Sequence, residues 1–281
     1  MLFSAAIAIE RCTAAVATSS RVKSAERVLD VLDLLARRGV PLATMDIAES
    51  LSMPKSTTHH LLNVMRERRF VSYWPDQRAW TLGVSAFEVG ASYMRSGPLH
   101  RAGQKYMLAL TNATNETSHL AVLQGTDVIY LDKREPLTPG VRLVTEIGSR
   151  LPAHLTAVGR AILSRLDPEQ LADIYDGYTW PVRTGSGPTS PAELRPVLQE
   201  TRERGYAYEK SSTTTGIDCI ASPVVTRDGR AVAALGVAYM AAVKSDQDIE
   251  AIAAAVTTTA GEFSAGFGAR VDDSLVEMGI A

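Results

Sequence analysis

The chain has 281 residues, 46% of them hydrophobic and 21% charged, with a formal net charge of −2. That length leaves room for two domains with a substantial core in each, and the composition is that of an ordinary soluble globular protein. No stretch reaches the ~20 apolar residues that would span a bilayer, and Cys12 and Cys219, in unlike surroundings and without CxxC spacing, exclude a zinc finger and argue against a structural disulfide. A reducing cytoplasm is expected, and the sequence asks for no metal and no cofactor. Residues 1–20 hold a short apolar run that no positive charge precedes and that Glu10-Arg11 interrupts, so they read as a disordered or loosely helical extension rather than a secretion signal.

The first helix is expected over residues 24–38, with Ala25, Val28, Leu29, Leu32, Leu35 and Ala36 on one stripe and Gly39 at its C′ position. From Pro41 to Leu82 the segments follow the order of a winged helix-turn-helix. Thr44 stands where an N-cap would, and Ile47, Ala48 and Leu51 give a short helix its apolar side. Leu51-Ser52-Met53 turns the chain, and Pro54 suits the first turn of a second helix, because its missing N–H costs nothing there. In that second helix Thr58, Leu61, Leu62 and Met65 share a core face. Ser56, His60, Asn63 and Glu67 point the opposite way, flanked by Lys55, Thr57, His59 and Arg66. Hydroxyls, an amide and imidazoles are short groups able to bond base edges or phosphates. Residues 70–74 and 78–82 then read as two strands around Pro75-Asp76-Gln77, a wing that puts Arg78 within reach of a phosphate or a minor groove. Residues 21–80 hold ten Lys or Arg against seven Asp or Glu, net +3 within a chain of net −2, which places the basic balance where a phosphate backbone would dock. The expected DNA-binding set is Thr44, Lys55, Ser56, Thr57, His59, His60, Asn63, Arg66 and Arg78, with the run Arg66-Glu67-Arg68-Arg69 either touching phosphate or capping a solvated helix end.

Residues 84–95 have helical spacing, and Ser96-Gly97-Pro98 breaks it, so a linker helix and a boundary near residue 97 are expected. Beyond it come a helix over 99–114, strands at 119–123 and 128–131, a third candidate strand at 141–147 and a helix at about 155–166. Another helix starts at Asp167-Pro168-Glu169, and Ser190 caps one that ends near Gly205. Strands 219–226 and 231–239 flank Arg227-Asp228-Gly229-Arg230, a hairpin signal, and a last helix runs from about Asp246 to Phe263. A mixed antiparallel sheet with helices packed on it is the economical architecture.

Two blocks of this second half, taken with the winged module, are similar to the IclR family of bacterial transcription regulators. Pro152-Ala153-His154-Leu155-Thr156-Ala157-Val158-Gly159-Arg160-Ala161 resembles the family's Pro-x-His-x-Thr-Ala-x-Gly-Lys-Ala block. Residues 216–224, with Gly229 and 233–237, look like its effector-domain signature. The resemblance covers about 22–267 and implies an α+β chain in five parts: the extension 1–20, a winged helix-turn-helix domain 21–83, a linker helix 84–97, a GAF-like α/β effector-binding domain 98–270, and a tail 271–281. It also implies a homodimer or dimer of dimers on double-stranded operator DNA, with no membrane partner, answering to a small organic acid and more often repressing than activating catabolic genes. Carried over by position, the effector pocket is lined by Val141, Leu143, Ala157, Val158, Gly159, Glu209, Ile217, Cys219, Leu235, Gly236 and Ala238. Gly159 follows Ala157-Val158 at a helix start, where exposed amides would favour a carboxylate.

The departures bear on specificity. His60 stands where the family commonly has Arg, and imidazole cannot read guanine bidentately, so operator preference should differ. Arg160 replaces the usual Lys. Gly236 and Ala238 lack the hydroxyls that some relatives carry, which favours an aromatic acid over a two- or three-carbon keto acid. Two other classes compete. A hydrolase-like enzyme would use Cys219 as nucleophile and His154 as base, beside Asp218. An effector-independent oligomerising DNA-binding protein would fill the pocket with its own side chains. His59 and His60 face different ways on a helix and make a poor metal pair.

Overall fold

The computed structural model describes residues 22–137 and 145–268. The expected extension 1–20, the tail 271–281, Cys12, Val141 and Leu143 lie outside the described residues. The chain divides into two compact units, residues 1–91 and 92–281.

In the first unit α1 (Lys23–Arg38) ends at Gly39, whose φ of 63° and N–H bond to the Leu35 carbonyl form a left-handed helix cap. Of the stripe expected on α1, Val28, Leu32 and Leu35 face the core and Ala25, Leu29 and Ala36 do not. Val31 and Leu35 are buried with Val28, Leu32 and Leu34 beside them, while Leu29 is exposed and Ala25 and Ala36 turn outward. Residues 28, 31, 32 and 35 and residues 25, 29, 32 and 36 are both helical stripes sharing position 32, and only the one carrying two β-branched valines meets the core. A short strand, β1 (Leu42–Ala43), precedes α2 (Thr44–Ser50) and pairs with the wing. The turn after α2 places Ser52 at φ 50° and ties the Met53 N–H to the Ala48 carbonyl. Next comes α3 (Lys55–Glu67), which starts one residue later than expected. Pro54 is the residue just before it, and its carbonyl accepts from both the backbone and the hydroxyl of Thr58. The wing is β2 (Val71–Trp74) against β3 (Ala79–Leu82), in register from Val71 opposite Leu82 to Trp74 opposite Ala79, in a three-stranded sheet ordered β1-β3-β2. Trp80, Ile47, Leu62 and Met65 meet at the centre of this core. Gly83 closes the wing because a Cβ there would stand 2.3 Å from the Arg69 carbonyl oxygen.

Helix α4 (Val84–Ser96) has no buried residue, and α5 (Pro98–Thr114) follows at once. The second unit is built on a six-stranded sheet in the order β6-β5-β4-β9-β8-β7: β4 (Thr117–Gln124), β5 (Asp127–Arg134), β6 (Arg150–Pro152), β7 (Ala207–Lys210), β8 (Ile217–Val225) and β9 (Ala231–Met240). Neighbouring strands pair antiparallel throughout, so the sheet is not mixed. Of the expected strand at 141–147, residues 141–144 lie outside the described residues and 145–147 are irregular; β6 forms at 150–152.

Strand alternation sorts the two faces. Leu120, Val122, Ile220, Val224, Leu235, Val237 and Tyr239 pack with α5 and with α9 (Asp246–Gly268), around Met107, Val256 and Phe263. Ala121, Ala207, Ala221 and Ala234 face the other way, toward α6 (Ala157–Leu163) and α8 (Pro191–Arg204). The expected helix at 155–166 is in fact a 3-10 turn over Ala153–Leu155 followed by the short α6, and α7 (Pro168–Ile174) comes next. Among the described residues no helix is long and apolar enough to cross a membrane.

Candidate functional site

On α3, Thr58, Leu62 and Met65 are buried. Lys55, Ser56, His59, His60, Arg66 and Glu67 are exposed, and Thr57 and Asn63 are half-buried. The Asn63 amide lies 3.1 Å from His59 Nδ1, one helical turn back. With the amide as donor, His59 is left holding its proton on Nε2, and the two side chains stand as one preset unit on the outer face. No acidic residue stands in the first turn of α3, and no side chain caps it. Its first amides and Lys55 therefore present a positive end to whatever approaches. Val64 is 44% exposed on this face and was missed by the sequence reading, which gave apolar residues to the core alone.

Thr44 is not the N-cap expected of it. The residue preceding α2 is Ala43, whose N–H bonds the Asp46 carboxylate, and the Thr44 hydroxyl accepts the indole N–H of Trp80 at 2.9 Å. Thr44 therefore joins α2 to the wing rather than capping its helix. Arg78 is exposed at the tip of the β2–β3 turn, at φ 50° and with its N–H on the Pro75 carbonyl at 3.2 Å.

The second unit holds a cavity of about 200 Å³ between the α6 face of the sheet and the loop 213–215. Of the residues expected to line it, Ala157, Val158, Glu209, Ile217, Cys219, Gly236 and Ala238 do so, joined by His119, Tyr130, Thr145 and Thr156. Two expectations are corrected. Leu235 is fully buried on the opposite face with the α5–α9 core, because the period of two that turns Gly236 inward turns Leu235 away. Gly159 does not line the cavity. Its N–H is taken by the Thr156 hydroxyl at 3.0 Å, and a Cβ would stand 2.2 Å from the Ala153 carbonyl oxygen, so its glycine serves close packing rather than an open amide site. Gly236 likewise has no room for a hydroxymethyl group, since a Cβ would meet Ala221 Cβ at 2.8 Å and Val158 Cγ1 at 3.2 Å.

Glu209 is fully buried on β7, a strand absent from the sequence reading. Its Oε1 accepts the backbone N–H groups of Ser212 and Thr213, and the Cys219 thiol lies against the same carboxyl. Burial pushes the carboxyl pKa up, while the Arg160 guanidinium and those N–H groups pull it down; the net direction is upward. Arg160 is itself buried, donating to the carbonyls of His154 and Tyr208 and to the Ser212 hydroxyl. His119 is 5% exposed, stands edge-on to Tyr130, and leaves Nε2 unpartnered. Burial, then the Lys133 charge, lowers its pKa to about 3, so it is neutral at ordinary pH.

The geometry does not support a Cys219–His154 couple. Cys219 lines the cavity, and burial and the neighbouring Glu209 raise its thiol pKa, the reverse of an activated nucleophile. His154 is outside the cavity lining, enclosed by the rings of Tyr175, Tyr178 and Trp180 at 4.8–6.2 Å.

Comparison with known proteins agrees with this architecture. The sequence model of the IclR helix-turn-helix domain matches residues 24–75, and that of the bacterial transcriptional regulator IclR C-terminal domain matches residues 91–265. The acetate operon repressor of Salmonella typhimurium is 29% identical over 89% of this chain and 92% of its own. The crystal structure of an IclR transcriptional regulator from Alicyclobacillus acidocaldarius superposes with a TM-score of 0.77 at 28% identity, covering 87% of this chain and 98% of that one. An IclR homologue from Microbacterium hydrocarbonoxydans, complexed with 4-hydroxybenzoate, shares the fold at a TM-score of 0.69 and 21% identity, over 86% of this chain and 99% of that one.

Proposed function

The chain belongs to the IclR family of bacterial transcription regulators, and on that premise we propose that it is a repressor of a catabolic operon, released or tightened by a small organic acid in the second unit's cavity. Residues 21–83 would act as the DNA-binding domain, 84–97 as the linker helix and 98–270 as the effector domain, in a homodimer or dimer of dimers in the cytoplasm. The observation that carries the DNA reading is the outer face of α3, where Ser56, the His59–Asn63 pair and His60 offer hydrogen bonds to base edges. Lys55, Thr57, Arg66 and Arg78 would hold phosphates around them. Half-sites should lie about one helical turn, or a multiple, apart on one face of the duplex.

The repressor reading is supported by the name of the acetate operon repressor, and the aromatic preference by the homologue that holds 4-hydroxybenzoate. Ligand must bind the DNA-competent and incompetent arrangements with different affinity, since equal affinity shifts nothing. The test is a gel-shift titration against the gene's own upstream intergenic DNA, with random duplex as competitor at fixed salt. Retention at nanomolar protein that an aromatic or short aliphatic acid alters is the expected result. Equal affinity for both duplexes, with and without such acids, would overturn it.

A further inference from the structure

We infer that His119 is the second anchor of the effector cavity, set opposite Glu209, so that the ligand is a single ring carrying a hydroxyl at one end for Glu209 and a second polar group at the far end for His119. This deepens the effector reading and rests on it. No residue of the expected pocket set stands at this position, since in sequence His119 opens an otherwise apolar strand.

Register gives the spacing. Glu209 faces Cys219 across β7 and β8, Cys219 faces Ala238 across β8 and β9, and Ala238 faces Thr117 across β9 and β4. His119 therefore stands three strands from Glu209 and two residues further along, with backbones roughly 14 Å apart across the sheet at about 4.8 Å per strand. Both side chains belong to the same face and line the same cavity. Between them the floor is Cys219, Ala221, Gly236 and Ala238, small groups that leave a flat surface and offer no charge. The space fits the same ligand. A cavity of 150 Å³ holds benzene, so about 200 Å³ holds one six-membered ring with one or two small substituents.

Chemistry chooses the polar ends. His119 Nε2 is buried and unpartnered among the described residues, and such a group costs stability until something bonds it, while the Glu209 carboxyl, beside the Cys219 thiol, keeps acceptor capacity beyond the bonds it already makes. A hydroxyl both donates and accepts, so it satisfies the Glu209 carboxyl whether that group is ionised or protonated. A carboxylate can only accept, and against an ionised Glu209 it is repelled. The acid function of the ligand therefore belongs at the other end, near the neutral imidazole and Tyr130.

The experiment is isothermal titration calorimetry on the full-length protein with isomers of one composition. In 4-hydroxybenzoate the polar groups sit at opposite ends of the ring; in 2-hydroxybenzoate they are adjacent. Phenol, pyruvate and glyoxylate complete the set. The wild type is expected to bind the 1,4-isomer about 10- to 100-fold more tightly than the 1,2-isomer, the range for one buried hydrogen bond to a charged group. His119→Phe should erase that preference while leaving phenol affinity unchanged, with circular dichroism and operator affinity showing that the variant folds. Equal loss of 4-hydroxybenzoate and phenol in His119→Phe would make His119 a packing residue and overturn the inference. So would tighter binding of pyruvate or glyoxylate than of every ring, which leaves the effector reading standing. Heat from no compound at all would remove both.

Discussion

The wing arginine separates charge from backbone conformation, because Arg78 is exposed at the hairpin tip and sits at φ 50°. A side chain in the left-handed region costs about 1 kcal/mol or more relative to glycine. Arg78→Ala removes the charge and keeps the strain; Arg78→Gly removes both. If Arg78 neutralises one phosphate, each bound protomer loses about 0.9 from the slope of log affinity against log salt, and a dimer about 1.8. Between 50 and 200 mM salt, one such contact accounts for roughly a 3.5-fold change in affinity. Both variants should show the same lowered slope, measured by fluorescence anisotropy on operator and random duplexes alike. Thermal unfolding should separate them, with the first unit of Arg78→Gly melting about 4–8 °C above that of Arg78→Ala for each kcal/mol of relieved strain. A wild-type salt slope in both variants would refute the phosphate contact. A loss confined to operator DNA would instead make Arg78 a reader of sequence.

Three further outcomes are expected. His60→Ala should narrow the gap between operator and random DNA by about 0.5–1.5 kcal/mol, the worth of one single hydrogen bond, and equal losses on both duplexes would remove His60 from the reading set. Gly236→Ser should lower the stability of the second unit by about 1–3 kcal/mol, read as a fall of roughly 2–12 °C in midpoint, because its Cβ would meet Ala221 and Val158 before any hydroxyl could reach ligand; an unchanged midpoint with tighter binding of a keto acid would contradict this. Stability should also fall on acidification. His119 and His154, lowered by burial to about 3 and about 4, take up protons more readily in the unfolded chain. Their contribution is complete well above pH 6.5 and lost as pH drops toward the folded values, at about 1.6 kcal/mol each between pH 6.5 and 5. Urea melts at both pH values check this, and His119→Phe should reduce the difference.

Periodicity made most of the first unit legible, since α1, α3 and the wing each repeat an apolar pattern long enough to register. It failed where two patterns overlap. The stripe through Leu29 and the stripe through Val31 fit α1 equally well in sequence, and only the wing and α3 decide which is buried. Strand β1 is two residues long and carries no period at all. In the second unit β7 stayed hidden because one of its inward positions is Glu209, and a buried carboxylate reverses the pattern that marks a strand. Leu235 was misplaced for a different reason: its role came from position within a resembling block, where alternation along β9 would have turned it away from Gly236 and Ala238. His119 obeys that same alternation, and its place between buried Ser118 and Leu120 gave no polar signal to notice.

Glu209 shows why such a residue is worth its burial. Its Oε1 holds the loop after β7 through the N–H groups of Ser212 and Thr213, while the same carboxyl lines the cavity that this loop covers. One carboxyl thus joins loop order to ligand occupancy. A ligand that donates to Oε2 lowers the cost of the buried charge, and the ionised form is the stronger acceptor for the loop amides. The loop should therefore tighten when the cavity fills, without any ligand contact to its backbone. Glu209→Gln keeps an oxygen for those amides and sets an amide N–H₂ against the ligand's donor. In that variant amide hydrogen exchange at 212–213 should remain slow and stop responding to ligand. Faster exchange there without ligand would place the whole effect in the loop and sever the link.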